Sequence, residues 1–150
     1  MDKQARRQRW FELLNEIGII YQLASTEFNR RLPDGLHLSH FGVINHLCRL
    51  GDGRTPQQIA RAFQVTKPTM TNTLTKLSAQ GFVEIRDNPA DGRSKLVYLT
   101  KAGRKFREKA IATLDPVLDE LDRALKTRTA NEPLPSLRAL REYLDKRRDV

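Results

Sequence analysis

The sequence predicts a mainly α-helical protein that contains one small β-hairpin. Two observations lead to this fold class. Apolar residues recur at spacings of three and four over most of the 150-residue chain, which is the period of an amphipathic helix. Between residues 82 and 100 the pattern changes to two short β-prone runs, separated by residues that favour turns. We therefore expect helices on both sides of a central hairpin.

The composition indicates a single domain with a polyanionic partner. A chain of this length can bury a core of its own. Its formal net charge is +9, and its isoelectric point is near 10.1. The stretch from Arg54 to Arg104 contains nine Lys and Arg residues against three Asp and Glu residues, so it carries a net charge of +6. Binding to the phosphates of a nucleic acid requires such a local excess.

Other classes of protein have little support in the sequence. The chain has one cysteine, so no internal disulfide can form, and a reducing compartment is indicated. No apolar run reaches the roughly 18 residues of a membrane helix, and residues 1–10 form no apolar signal core. We find no nucleophile–base constellation, HExxH motif or phosphate-binding glycine loop. We expect a cytoplasmic protein that is not an enzyme and needs no cofactor.

One cysteine and three histidines are the residues that could support redox or metal chemistry. Cys48 has no second cysteine to pair with, and a buried cysteine is more often inert than reactive. His37, His40 and His46 lie within ten residues and, with Glu27, could suggest a metal site. However, His40 and His46 are six residues apart, which is wrong for a pair on one helix face, and no later histidine completes a site. We predict a packing role for the cysteine, capping or surface roles for the histidines, and no metal site.

The N-terminal segment predicts one long helix from about Lys3 to Arg31. Its apolar stripe runs from Trp10 to Phe28 at spacings of three and four. Such a face must pack against something, because burial is what stabilises most protein helices. The stripe begins well before a compact domain would need it, so we expect part of it to contact a second subunit.

A breaker segment and a second helix follow. Pro33, Asp34 and Gly35 interrupt the helical pattern, and Ser39 is predicted to cap the second helix. Residues 51–53 should end that helix. Its core face is expected to consist of Phe41, Ile44, Leu47 and Cys48.

The next two helices are predicted to form a helix-turn-helix. Thr55, Pro56 and Gln58 match a capping box with proline at the first helical position. Residues 64–66 form a tight turn, and a second helix opens at about residue 66. The apolar face of this second helix consists of Met70, Leu74 and Leu77. Two helices joined by so short a turn form the motif whose second helix lies in a DNA major groove.

A charged β-hairpin is predicted directly after the second helix. Gly81 suits the left-handed conformation that ends helices. Residues 82–87 and 95–100 are strand-like, and the loop NPADGRS joins them. A hairpin in this position is the wing of a winged helix. Its basic residues are Arg86, Arg93 and Lys95.

Further helices are predicted after the wing. Thr100 is the expected N-cap of a long helix over roughly residues 101–127, which Pro116 should kink or split. Residues 131–135 predict a turn, and residues 136–148 predict a last short helix.

The whole chain, residues 1–150, is predicted to form a single domain with two parts. A winged helix-turn-helix lobe spans residues 38–100, and a helical dimerisation frame consists of residues 1–37 and 101–150. This order of elements closely resembles the MarR family of winged-helix transcriptional regulators. The resemblance covers about Leu38 to Gly103 and is most specific in the runs LTKLSAQGFVEI and DNPADGRSKLVYLTKAG.

The resemblance implies a homodimeric transcriptional regulator, a repressor, that binds a pseudo-palindromic operator in double-stranded DNA. It also implies release of the DNA by a small aromatic ligand. Gly92 departs from the family pattern, since many members have a second wing arginine there; this either weakens the minor-groove contact or leaves it to Arg93 alone. The residues expected in the dimer contact are Trp10, Leu13, Leu14, Ile17, Leu121, Leu125, Leu137, Leu140, Tyr143 and Leu144. The residues expected to line a ligand pocket are Tyr21, Phe28 and Phe41, with core packing as the alternative.

The residues predicted to contact DNA lie on the second helix of the helix-turn-helix and on the wing. Asn72 can pair bidentately with adenine, and Thr69 and Thr71 can touch a thymine methyl group or donate to a phosphate. Arg93 can enter a narrow A·T-rich minor groove, with Asp91 bracing it or capping the loop. An ordinary solvated surface is the alternative. The full set is Lys67, Pro68, Thr69, Thr71, Asn72, Lys76, Arg86, Asp91, Arg93, Ser94 and Lys95.

A second interpretation is a winged helix that binds RNA or another protein. A wing that binds protein should be less cationic and more apolar than this one. The charge of the module therefore favours duplex DNA, and a shift assay with both nucleic acids would separate the two.

Overall fold

The structure, a computed structural model, describes residues 2–33 and 35–148, without the side chain of Thr127. Asp34, part of the predicted breaker segment, lies outside the described residues. The described chain forms eight helices and two strands in the order α1 (Lys3–Arg31), α2 (Leu38–Leu50), α3 (Pro56–Phe63), α4 (Lys67–Ala79), β1 (Val83–Asp87), β2 (Lys95–Leu99), α5 (Lys101–Ala112), α6 (Asp115–Leu125), α7 (Thr127–Asn131) and α8 (Leu134–Arg148). These elements group into two compact units, residues 1–113 and 114–150.

Helix α1 has the predicted bounds, Lys3–Arg31. Its N-terminus is capped by Asp2, whose Oδ1 accepts a hydrogen bond of 2.8 Å from the backbone N–H of Ala5. Phe28 is the one buried residue of this helix. Most of the apolar stripe on α1 is therefore left uncovered by the rest of its own compact unit.

Helix α2 begins earlier than predicted, because its N-cap is His37 and not Ser39. Asn29 of α1 accepts a hydrogen bond of 2.6 Å from the backbone N–H of Leu38, and His40 Nδ1 accepts one of 3.0 Å from the backbone N–H of His37. These side chains satisfy N–H groups that a helix N-terminus leaves free, so Ser39 falls inside the first turn.

The core face of α2 is shifted slightly from the prediction. Ile44 and Leu47 are buried as expected, and Val43 and His46 join them. Phe41 and Cys48 are only partly buried. A surface role is wrong for His46, which is 9% exposed because its ring packs on Phe63 with centroids 5.3 Å apart.

The helix-turn-helix has the predicted capping box and the predicted apolar face of α4. Thr55 and Gln58 exchange capping-box hydrogen bonds of 2.9 and 3.1 Å. Gln64 takes the left-handed conformation, with φ of 53°, and turns the chain into α4. Thr66 caps α4. The apolar face of that helix is buried as predicted, at Met70, Leu74 and Leu77.

The two strands form an antiparallel hairpin in which Val83 pairs with Leu99 and Asp87 pairs with Lys95. The strands are one residue shorter than predicted at the ends nearest the helices. A bridge that the sequence did not reveal joins the hairpin to the chain before α3, where the backbone N–H of Val97 donates to the Arg54 carbonyl at 2.9 Å.

Helix α5 closes the first unit against the base of the wing. Thr100 caps it as predicted, accepting from the backbone N–H of Gly103 at 3.0 Å. A Cβ atom at Gly103 would lie 2.2 Å from the carbonyl oxygen of Phe82, so only glycine fits this close approach. The Phe82 and Phe106 rings stack next to it, with centroids 4.6 Å apart.

The second unit consists of α6, α7 and α8. The predicted split at Pro116 is confirmed, since α5 ends at Ala112 and α6 begins at Asp115. The last helix begins at Leu134, two residues before the predicted start. None of the described residues of α6 or α8 is buried. No described helix is long and apolar enough to cross a membrane.

Candidate nucleic-acid interface

Helix α4 is anchored by one face and exposes the other. Its three buried residues pack against α2, α3 and β1. Because side chains three and four apart share a helix face, the polar residues between them point away from this core. The predicted contact residues of α4 are all exposed: Lys67, Pro68, Thr69, Thr71, Asn72 and Lys76. Thr75 is exposed beside them.

The threonine hydroxyls of α4 are used inside the helix. Thr71 Oγ1 donates to the carbonyl of Lys67 at 2.9 Å, and Thr75 Oγ1 donates to the carbonyl of Thr71 at 2.9 Å. Thr73 donates in the same way to the carbonyl of Thr69 at 3.1 Å. Such bonds to the carbonyl four residues back are a common way for threonine to satisfy its hydroxyl within a helix.

Lys76 has a structural partner. Its Nζ donates a hydrogen bond of 2.9 Å to the carbonyl oxygen of Gly35, in the connection between α1 and α2. In this arrangement the ammonium group holds that connection on α4. Lys67 lies at the other end of the helix, beside the wing, and borders the cleft described below.

The three cations of the wing differ in their partners. Arg86 forms an ion pair of 2.8 Å with Glu84 and stacks on the Tyr98 ring, with its guanidinium carbon 4.4 Å from the centroid. The hydrogen bond to the Arg86 side chain lowers the pKa of the Glu84 carboxyl. Lys95 pairs with Asp87 across the hairpin.

Arg93 stands at the tip of the wing and is exposed. Among residues 2–33 and 35–148 no carboxylate pairs with its guanidinium. It therefore differs from Arg86 and Lys95, each of which has a carboxylate partner.

The loop that presents Arg93 is ordered by its own side chains. Asp91 Oδ1 accepts a hydrogen bond of 3.0 Å from the backbone N–H of Arg93, which is one of the two roles predicted for it. Asn88 Oδ1 accepts from the backbone N–H of Ala90 at 3.0 Å, and Asn88 Nδ2 donates to Ser94 Oγ at 2.8 Å. These bonds restrict the backbone on both sides of Arg93.

A cleft of about 560 Å³ separates the wing from the helix-turn-helix. Lys67 and Thr71 of α4 line one wall, and Arg93 and Lys95 line the other. The start of α3 also lines this cleft, through Thr55, Pro56 and Gln57. The sequence assigns Thr55 and Pro56 to capping and helix initiation alone and gives Gln57 no role, because nothing local shows that the start of α3 faces the wing.

The residues predicted for the dimer contact are largely exposed. Trp10 on α1 is 57% exposed, and Leu125 on α6 is 55% exposed. The same holds for Leu13, Leu14, Leu121, Tyr143 and Leu144, whereas Ile17, Leu137 and Leu140 are partly covered. Large apolar side chains are thus exposed on α1 in the first unit and, separately, on α6 and α8 in the second.

Two of the three residues predicted for an aromatic-ligand pocket are in contact with each other, and the third lies apart on α1. Phe28 is buried and meets Phe41 edge to face, with ring centroids 4.7 Å apart. Tyr21, two turns earlier on α1, is 64% exposed. Phe28 thus belongs to the core, which was the alternative given for it, with the half-buried Phe41 packed on it, and the ligand pocket stays a prediction.

The pKa of His40 is lowered from its ordinary value. Burial is the main cause that lowers its pKa, and the charges of Lys76 and His37 lower it further. Its Nδ1 atom accepts the His37 backbone hydrogen bond, which requires the neutral ring. No group of three or more His, Cys, Asp or Glu residues in the described part of the chain could hold a metal ion.

A helix-turn-helix whose second helix exposes polar residues, followed by a basic hairpin, defines a winged-helix protein of the DNA-binding class. Comparisons with known proteins agree. The model of the MarR family matches residues 34–94. The uncharacterized HTH-type transcriptional regulator YwoH of Bacillus subtilis is 35% identical over 98 residues, which are 64% of this chain and 70% of YwoH.

Two solved structures share the fold over nearly the whole chain. The transcriptional regulator BldR from Sulfolobus solfataricus has a TM-score of 0.74 at 24% identity and covers 97% of this chain and 99% of its own. A mutant MarR from Escherichia coli, complexed with operator DNA, has a TM-score of 0.66 at 23% identity and covers 91% of this chain and 95% of its own. The protein belongs to the MarR family. It is a DNA-binding transcriptional regulator, and the family is one of regulators and not of enzymes.

Proposed function

We propose that the protein is a homodimeric repressor that binds a pseudo-palindromic operator in double-stranded DNA. The observation that carries this proposal is the contrast between the two kinds of exposed surface. The winged module exposes cations and hydrogen-bonding groups, whereas α1 exposes large apolar side chains such as Trp10 and Leu14. The first surface suits a nucleic acid, and the second suits another copy of the chain.

Each subunit would contact DNA at two places. The exposed face of α4 would lie in the major groove, with Asn72 at an adenine edge, and Arg93 would enter the minor groove next to it. Lys67 and Lys95 would neutralise phosphates on either side of the cleft. The sugar-phosphate backbone of the DNA would contact Pro68, Thr69 and Ser94. Dimerisation would space two such modules by about one helical turn, roughly 34–36 Å.

Two other predicted contacts have internal partners. Arg86 is held by Glu84 and Tyr98, and Lys76 is held by Gly35. In the proposed complex these side chains act on DNA only through their charge or after their partners are released. Asp91 would contribute through the loop backbone and not through a phosphate, because its carboxylate repels one.

The experiment combines sedimentation with DNA titration. Analytical ultracentrifugation should show a dimer in the absence of DNA. Fluorescence anisotropy with duplexes from the protein's own promoter should show a Kd that rises steeply with salt, with a log–log slope of about −5 for roughly six phosphate contacts per dimer. A monomer at micromolar concentration, or affinity for duplex DNA that does not depend on salt, would contradict the proposal.

A matched RNA of the same sequence serves as the control. The proposal requires the duplex DNA to bind more tightly, because the deep, narrow major groove of A-form RNA does not admit α4. Transcription from the promoter in vitro then gives the sign of regulation, and addition of protein should reduce it. Release by an aromatic effector stays a separate prediction.

A further inference from the structure

The hydroxyl groups on the exposed face of α4 restrict what this helix can read in a major groove. A threonine hydroxyl has a single hydrogen to donate. In Thr71 and Thr75 that hydrogen is donated to the helix backbone, to the carbonyls of Lys67 and Thr71 respectively, each at 2.9 Å. Neither side chain can then donate to a phosphate or to the acceptor atoms of guanine. Their methyl groups and an oxygen lone pair remain for DNA.

The other residues of α4 do not supply a guanine reader. Arginine makes the commonest specific contact to guanine, and α4, which reads KPTMTNTLTKLSA, contains no arginine. Lysine can make the same contact to guanine. Of the two lysines of α4, Lys67 is placed at a phosphate in the proposed complex, and the ammonium group of Lys76 is held 2.9 Å from the Gly35 carbonyl oxygen. Asn72 is the remaining side chain suited to a bidentate base contact, and its preferred partner is adenine.

We infer that Thr71 and Thr75 determine specificity by packing their methyl groups against the 5-methyl groups of thymine, so that the part of each half-site read by α4 is rich in A·T pairs. This inference rests on the proposed operator binding and extends it. The wing adds an independent argument. Arg93 borders the same cleft as both threonines, and runs of A·T pairs narrow the minor groove that attracts an arginine.

The first test identifies the site and then removes its methyl groups. The full-length protein selects its operator from a library of random duplexes, and each thymine in the selected half-site is replaced singly by deoxyuridine. This change removes the methyl group and keeps base pairing and all hydrogen-bonding groups. We expect the Kd, measured by fluorescence anisotropy, to rise about fourfold at one or two positions per half-site, the effect of one buried methyl group.

The second test asks which part of the threonine side chain is responsible. Thr71→Ser keeps the hydroxyl and removes the methyl group, whereas Thr71→Val keeps the branched shape and removes the hydroxyl. We expect Thr71→Ser to bind thymine and deoxyuridine operators equally, and Thr71→Val to retain the fourfold difference. The same pair of substitutions at Thr75 should act on a neighbouring base pair.

Thr73 provides the matched control. It makes the same hydrogen bond, to the carbonyl of Thr69, but it is half-buried and does not border the cleft. Thr73→Ser and Thr73→Val should leave the ratio of the two dissociation constants unchanged. Circular dichroism melting of all six variants would show that each is folded.

The outcomes separate this inference from the proposed function. If a duplex is selected and no deoxyuridine substitution raises the Kd, operator binding stands and the methyl contact is wrong. If guanine or cytosine occupies the positions read by α4, or if serine preserves discrimination and valine abolishes it, the inference is also wrong. If the library yields no selected duplex, the proposed function fails, and the inference fails with it.

Discussion

Helices α4 and α1 both carry large apolar side chains, but the fold uses them in opposite ways. Helix α4 has 13 residues, buries three apolar side chains and exposes polar ones. Helix α1 has 29 residues, buries only Phe28, and exposes Trp10, Ile20 and Leu23 by more than half. The winged module thus completes its core within one chain. The exposed stripe of α1 requires a further surface, which in the proposed dimer is a second copy.

The largest expected effect tests whether the winged module is complete. Gly103→Ala would place a Cβ atom 2.2 Å from the Phe82 carbonyl oxygen, a backbone atom that cannot move aside cheaply. We expect it to lower the free energy of unfolding by about 3 kcal/mol or more, the upper range for overpacking. Urea denaturation followed by circular dichroism measures this.

Gly18→Ala in α1 is the matched control for that substitution. A Cβ atom there has no neighbour within 4 Å, and alanine is the better helix former by roughly 0.5–1 kcal/mol. The free energy of unfolding should therefore rise slightly when both variants are compared at one protein concentration. If Gly103→Ala and Gly18→Ala changed the free energy of unfolding equally, the winged module would not be more tightly packed than α1.

The next effect tests the exposed stripe of α1. Trp10→Ala should weaken dimerisation by about 2–4 kcal/mol, because a large aromatic side chain buried at an interface is a typical energetic centre. Sedimentation equilibrium measures the association constant. Val65→Ala, an exposed apolar residue on the turn of the winged module, should leave it unchanged. A Trp10→Ala variant that dimerises normally would show that the interface lies elsewhere.

A smaller effect compares the tip of the wing with its base. Arg93→Ala should weaken operator binding by about 1–3 kcal/mol without lowering the melting temperature, since its guanidinium has no carboxylate partner in the described chain. Arg86→Ala removes the same charge, but the Arg86 guanidinium is already held by Glu84 and Tyr98, so its loss of affinity should be smaller. Anisotropy titrations measure the operator affinity of both variants. A larger loss for Arg86→Ala than for Arg93→Ala would place the minor-groove contact at the base of the wing.

The smallest effect concerns His40, which caps the N-terminus of α2. Its pKa is lowered in the folded protein, mainly by burial. At a pH just below the ordinary pKa of 6.5, His40 is therefore protonated to a greater extent in the unfolded chain than in the folded one. Stability should therefore be complete above about pH 6.5 and fall as the pH drops through the interval between the two pKa values.

His40→Gln tests that dependence. Glutamine at this position can still accept the His37 backbone hydrogen bond as part of a capping box, but it does not titrate. The loss of stability between pH 7 and lower pH should be smaller in the variant than in the wild type, by thermal melting at matched ionic strength. An unchanged pH dependence would assign it to other groups.

Much of the fold follows from local signals. The caps at Thr55, Thr66 and Thr100 and the turn at Gly81 are each set by a few neighbouring residues, which is why α3, α4 and α5 begin where the sequence predicted. Pro116 split the long C-terminal helix because proline cannot continue the hydrogen-bond pattern. The start of α2 was misjudged, because its cap involves Asn29, a side chain from another helix.

In the candidate DNA-binding site, too, some features follow from the sequence and others only from tertiary contacts. The sequence was sufficient to find the basic hairpin and the polar face of α4, because charge and helical period are properties of the chain itself. Which of those groups remain available to DNA was a matter of tertiary structure. Lys76 is bound to Gly35, 41 residues away, Arg86 stacks on Tyr98 across the hairpin, and the start of α3 joins the cleft. Partners so distant along the chain meet only in the folded protein, and no local pattern encodes them.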